Sequence, residues 1–273
     1  MQIEVQGINI HYEVIGHGRP FLMLHGGGLD HRHMIDELEP LFVRYPNWKR
    51  IYPDLPGQGR TPAADWIFNQ EQVLDIVLDF VDQVIPNQGF ALAGTSRGGY
   101  LARGLIYRRP ASVEGALLIV PASATAGAAP DQPHVTLVQD ENLLSELMPG
   151  EIGHFQLLVL QTRNALDRLR QTYYPALALR DGALRDRIVQ NYDFPFDVNK
   201  PLAPFAKPVL IVTGAQDDIT GFRDAWKMMD TFTRATFVVL DKAGHLLPLE
   251  QEQLFMALAS EWLQRVEESV GSQ

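Results

Sequence analysis

The chain has 273 residues, 46% of them hydrophobic and 21% charged, enough for one large α/β domain with an insertion or for two small domains. A formal net charge of −10, with no basic run to offset it, argues against a nucleic-acid partner. The absence of cysteine excludes disulfides, thiolate zinc sites and cysteine nucleophiles, and no stretch approaches the ~18 continuous apolar residues of a membrane span.

The start, Met1-Gln2-Ile3-Glu4-Val5-Gln6, alternates like a strand and lacks the basic start and apolar stretch of a signal peptide. A cytoplasmic protein without membrane contact is expected. Residues 2–15 read as two strands joined at Gly7-Ile8-Asn9, with Ile8, Ile10, Tyr12 and Val14 on one face. After a glycine turn at 16–20, the apolar strand Phe21-Leu22-Met23-Leu24 runs into His25-Gly26-Gly27-Gly28. Met34, Ile35, Leu38, Leu41 and Phe42 predict a helix over 31–42. A short strand at Lys49–Tyr52 leads to Pro53-Asp54-Leu55-Pro56-Gly57-Gln58-Gly59-Arg60. One stripe of Val73, Leu74, Val77, Leu78, Val81 and Ile85 predicts a helix over 70–85.

Phe90-Ala91-Leu92-Ala93 then reads as a strand, Gly94-Thr95-Ser96-Arg97-Gly98 as a sharp turn, and 100–106 as a helix. Gly115–Val120 is the next buried strand. Strands alternating with helices in this way imply a mostly parallel sheet covered on both faces. After Pro121 the pattern changes. Residues 122–133, rich in alanine, glycine and proline, read as a hinge or linker, and 134–200 as helical. Following a proline-rich border at 195–208, strands return at 208–213 and 236–240, and a last helix spans roughly 249–267. One α/β domain interrupted by a helical insertion is expected.

The turn at 94–98 carries the first chemical signal. A serine on a strand-to-helix turn is held in a strained conformation that presents its hydroxyl above the sheet. A serine hydroxyl needs a base, histidine can take and return the proton, and a carboxylate behind the ring fixes its tautomer. Asp217, in Gly214-Ala215-Gln216-Asp217-Asp218, follows one predicted strand, and His245, in Ala243-Gly244-His245, follows another. The expected assembly is Ser96 as nucleophile, His245 as base and Asp217 as orienting carboxylate, with adjacent Asp218 as the alternative to Asp217. Oxyanion donors are expected from the backbone N–H groups of Arg97 and Gly27. His25 and Asp54 read as structural, and Asp30-His31-Arg32-His33 as a solvated helix start rather than a metal site. The Arg97 side chain is expected to pair with a nearby acid; a bidentate contact to a substrate carboxylate is its alternative use.

These elements, in this order, resemble the α/β-hydrolase superfamily over essentially the full length. The carrying residues are His25–Gly28, Asp54–Gly59, Gly94–Gly98, Gly214–Asp217 and Gly244-His245. Thr95-Ser96-Arg97 departs from that superfamily's common His-Ser-Met or His-Ser-Leu and places a long cation beside the serine. The resemblance implies a core over 1–121 and 205–273 and a helical cap over 122–204 that roofs the serine. Phe155, Leu157, Leu158, Tyr173 and Tyr174 are the expected wall residues. It further implies a cofactor-independent, metal-free hydrolase acting on a small carboxylic ester or related acyl compound. Lactones, amides, thioesters and C–C bonds use the same residues, and a hydrolase-derived binding protein or a scaffold is the non-enzymatic alternative.

Overall fold

The structure, a computed structural model, describes residues 1–123, 133–201 and 203–271. Strands β1 (Gln2–Val5), β2 (Ile8–Ile15), β3 (Arg19–Leu24), β4 (Trp48–Pro53), β5 (Phe90–Thr95), β6 (Val113–Ile119), β7 (Val209–Gly214) and β8 (Ala235–Leu240) form one sheet. Its order is β1-β2-β4-β3-β5-β6-β7-β8, antiparallel across β1, β2 and β4 and parallel from β4 onward. The chain crosses from β4 on one side of β3 to β5 on the other. That reversal opens a crevice beyond the C-terminal ends of β3 and β5, the place where open α/β sheets bind ligands.

Alternation along the strands divides the core in two. Leu22, Leu24, Leu92, Leu118 and Ile211 pack to one face, against helices α2 (Gln70–Val84) and α3 (Arg97–Arg108). Phe21, Met23, Ala91, Ala93, Leu117, Ile119, Leu210 and Val212 pack to the other. There α1 (His31–Phe42) supplies Met34 and Leu38, and the last helix supplies Phe255, Trp262 and Val266. A central parallel strand is thus apolar on both faces, which is why β3 and β5 read as unbroken apolar runs.

Helix α1 begins where Asp30, in extended conformation, accepts a hydrogen bond from the Arg32 N–H. Contrary to expectation this start is not solvated: Asp30 and His33 are buried. Asp30 is held by the Arg32 guanidinium, while Asp54 accepts from the N–H groups of His31 and Arg60 and contacts the His31 ring at 2.8 Å. Loop residues 54–60 are thereby stitched to α1.

Residues 133–201 depart further from the reading of a plain helical stretch. They form two-residue parallel strands at Val138–Gln139 and Leu160–Gln161, short helices, a π-helical turn at Leu169–Tyr173, and α4 (Gly182–Gln190). Phe155, Leu158, Leu166 and Leu169 make a separate apolar cluster with Leu29, Leu246 and Leu249 of the sheet domain. Leu184, Ile188, Phe194 and Val198 join the core on the α2–α3 face instead. Of the expected hinge at 122–133, residues 124–132 lie outside the described residues. The final helix, α5, runs Glu252–Gly271, after a separate helical turn at Leu247–Glu250. No helix among the described residues is long and apolar enough to cross a membrane.

Candidate active site

Ser96 sits between β5 and α3 with φ 53° and ψ −117°, a left-handed φ that costs a non-glycine residue energy. Two neighbours make the turn feasible. A Cβ at Gly98 would run into the carbonyls of Leu24 and His25, and one at Gly94 into the backbone of Gly98 and Gly99. The turn is pinned by the Ser96 N–H donating to the Ile119 carbonyl at 2.9 Å.

His245, on the loop after β8, places Nε2 3.0 Å from the Ser96 hydroxyl oxygen. Its Nδ1 lies 3.1 Å from Oδ2 of Asp217, on the loop after β7. Asp217 is fully buried; Oδ1 accepts from the N–H groups of Ile219 and Thr220, and Oδ2 from the Thr220 hydroxyl at 2.7 Å. Asp218 turns away and meets His134 Nδ1 at 3.3 Å. Burial alone would push the Asp217 carboxyl up, but contact with His245 and Thr220 outweighs it and holds it below its ordinary value. For His245, burial pulls the imidazole down; the charge and hydrogen bond of Asp217, with smaller help from Asp218 and Glu37, more than reverse this.

The glycine turn after β3 faces Ser96. Gly26 N–H donates to His33 Nδ1 at 3.3 Å and Gly28 N–H to Gln58 Oε1 at 2.7 Å. Among the described residues, the N–H groups of Gly27 and Arg97 make no hydrogen bond. Two unspent amides therefore flank the serine. His25 points elsewhere: Nδ1 contacts the Gly26 carbonyl and Nε2 accepts from Leu55 N–H, and burial lowers its pKa to about 4. It is a neutral structural side chain.

A cavity of about 310 Å³ opens above Ser96 and His245, its apolar wall including Leu157, Tyr173, Leu177, Leu184, Ile188 and Ile219. It sits at the small end of the range for ligand pockets. Of the five expected wall residues, Leu157 and Tyr173 line it. Phe155 and Leu158 are instead buried in the apolar cluster, and Tyr174 spends its hydroxyl on the Glu151 carbonyl.

A family model described as Alpha/beta hydrolase family matches residues 21–258. The chain belongs to this family. It is 27% identical over 261 residues to a pimeloyl-[acyl-carrier protein] methyl ester esterase of Legionella pneumophila (strain Corby), covering 94% of this chain and all of that one. An esterase of the same name from Neisseria meningitidis serogroup C is 29% identical, covering 89% of this chain and 93% of the relative. Among solved structures, an alpha/beta superfamily hydrolase from Oenococcus oeni PSU-1 superposes with TM-score 0.88 at 24% identity, over 98% of this chain and 99% of that one.

Within this hydrolase, three supports escaped the motif reading. Thr220 carries no motif signal and His33 reads only as part of a helix start, although Thr220 touches Asp217 and His33 touches Gly26. Glu250 is the third. Its buried carboxylate accepts from Gly244 N–H and Val159 N–H, each at 2.6 Å, tying the loop of His245 to the segment above the cavity. Burial pushes this carboxyl above its ordinary value, while the N–H groups of Gly244, Val159 and Leu160 pull against that. Glu250→Gln turns one acceptor into a donor facing an N–H. We expect a stability loss of about 1–3 kcal/mol in urea denaturation and a slower turnover with KM little changed.

The Arg97 side chain is a correction. Its Nε donates to Gln70 Oε1 at 3.0 Å, and no acid pairs with it among the described residues. The start of α2 and the loop carrying Tyr192 offer it an amide and a phenol where the reading expected a carboxylate.

Proposed function

We propose that the protein hydrolyses a small carboxylic ester through an acyl-enzyme, with Ser96, His245 and Asp217 as a catalytic triad. The Ser96 oxygen attacks the ester carbonyl carbon while His245 Nε2 takes its proton. The oxyanion that forms is met by the N–H groups of Gly27 and Arg97, and no cofactor or metal is required. Collapse breaks the carbonyl carbon–alkoxy bond, and the leaving alkoxide takes the proton from His245. A water then attacks the acyl-enzyme by the same route in reverse roles, releasing the acid and Ser96. Residues 122–204 act as the cap over this centre, leaving a small, largely apolar chamber for the acyl group.

The observation that carries this reading is the unbroken chain from Ser96 through His245 to buried Asp217, at 3.0 and 3.1 Å, beneath a cavity edged by two unspent amides. Relatives named for methyl ester cleavage support the bond type. Labelling by a fluorophosphonate probe, alongside turnover of short p-nitrophenyl esters, tests it. A folded protein that neither labels nor turns over any ester would return the chain to the binding-protein reading.

The pH profile follows from the same contacts. Only neutral imidazole accepts the serine proton, and the His245 pKa is raised above 6.5. Hence kcat/KM rises with pH along a limb centred above 6.5 and levels off beyond it. A limb centred below that value would mean that Asp217 does not charge-stabilise the ring.

A further inference from the structure

Arg97 is the anomaly of the site. It lines the cavity, yet its Nη2 is shut off from solvent and has no hydrogen-bond partner. Gln70, which takes its Nε, is itself fully buried with Nε2 unpartnered. Tyr192 lines the cavity beside them, and its hydroxyl makes no hydrogen bond among the described residues. Arg103 on the same helix shows the ordinary alternative: buried more deeply, it gives its donors to Asn199 and the Ala122 carbonyl. Burying a guanidinium nitrogen and an amide nitrogen without partners costs stability that a structural role does not recover. Consistent with that cost, burial lowers the Arg97 pKa to about 10.

The rest of the chamber carries the same sign. Arg180 lines the mouth with no ion pair among the described residues, and Arg185 stands near it, paired with Asp186. Asp181 is the acidic residue in the lining, and its Oδ1 accepts from Leu184 N–H at 2.7 Å as the cap of α4. Two arginines, Arg97 and Arg180, set without ion pairs among the described residues in the wall of a largely apolar chamber are not a by-product of composition in a chain of net charge −10.

We propose that Arg97, braced from behind by Gln70 and flanked by Tyr192, forms a subsite for a carboxylate on the acyl side of the substrate, so that the enzyme prefers half-esters of small dicarboxylic acids over neutral esters. This rests on the ester-hydrolase reading above. The guanidinium and the Tyr192 hydroxyl suit a carboxylate's two oxygens, and the small chamber limits the spacer between carboxylate and ester. Arg97 thereby serves twice, its amide toward the oxyanion and its side chain toward the far end of the acyl chain.

The test compares kcat/KM for monomethyl glutarate and methyl pentanoate in wild type, Arg97→Met and Arg97→Lys, and measures glutarate binding by calorimetry. We expect wild type to favour the half-ester about tenfold or more, with the preference lost in Arg97→Met and partly kept in Arg97→Lys. Glutarate should bind wild type and Ser96→Ala alike, and bind Arg97→Met at least about tenfold more weakly. Equal rates on both esters in wild type, or no glutarate binding to wild type, overturn the subsite. Should Arg97→Met not fold, Tyr192→Phe and the wild-type preference decide. If no ester is cleaved and Ser96 takes no fluorophosphonate, the hydrolase reading fails; Arg97-dependent glutarate binding would still uphold the carboxylate site.

Discussion

Ser96→Ala is expected to lower ester turnover by about 10⁴-fold or more and to abolish fluorophosphonate labelling, while the protein stays folded. On the proposed mechanism, alanine removes the oxygen that forms the acyl-enzyme. What survives is acceleration from the amides of Gly27 and Arg97 and from holding the substrate in the cavity, which amounts to a small part of the whole. Stability should move little and in the favourable direction if at all, because the strained turn, with φ 53°, is kept while a polar group is removed from a half-buried position. Turnover that persists within about tenfold in this variant would place the reaction elsewhere in the chain. A comparison of urea midpoints for the two proteins separates loss of chemistry from loss of fold.

The alternation of strand and helix is legible because parallel strands buried on both faces read as apolar runs, and α1 emerges at 31–42 as its stripe predicts. The positions of Ser96, Asp217 and His245 are legible for a related reason. Each follows the C-terminal end of a recognisable strand, so topology gathers at one sheet edge what sequence separates by up to 149 positions. Residues 133–201 resist the same treatment. Their helices are mostly too short for a stripe to declare itself, and their apolar residues answer to two different clusters, one with Leu246 and Leu249, the other with α2 and α3. Which of them face the cavity depends on how this segment lies over the sheet, so Phe155 and Leu157, two positions apart, end in core and wall. The environment of Arg97 is illegible for a deeper reason. Its partner is decided by Gln70 at the start of α2, and nothing local to residue 97 announces a neighbour 27 positions away.

Asp217→Asn is expected to cost about 10⁴-fold in kcat with the fold intact, and Asp218→Asn no more than a few-fold. The two residues are adjacent in sequence and differ in what they touch. Asp217 is fully buried, contacts His245 Nδ1, and accepts from Thr220 and Ile219, so its orientation is fixed; Asp218 faces His134. Asparagine can offer its NH₂ group to Nδ1, which moves the ring proton to Nε2 and leaves no lone pair to receive the serine proton. It also withdraws the charge that raises the His245 pKa, so the residual activity should show its rising limb at lower pH than wild type. Both shifts must appear together if Asp217 acts through the ring. A large rate loss with the limb unmoved would mean that Asp217 merely braces its loop. The reverse ranking, with Asp218→Asn the more damaging, would assign the orienting carboxylate to the other residue.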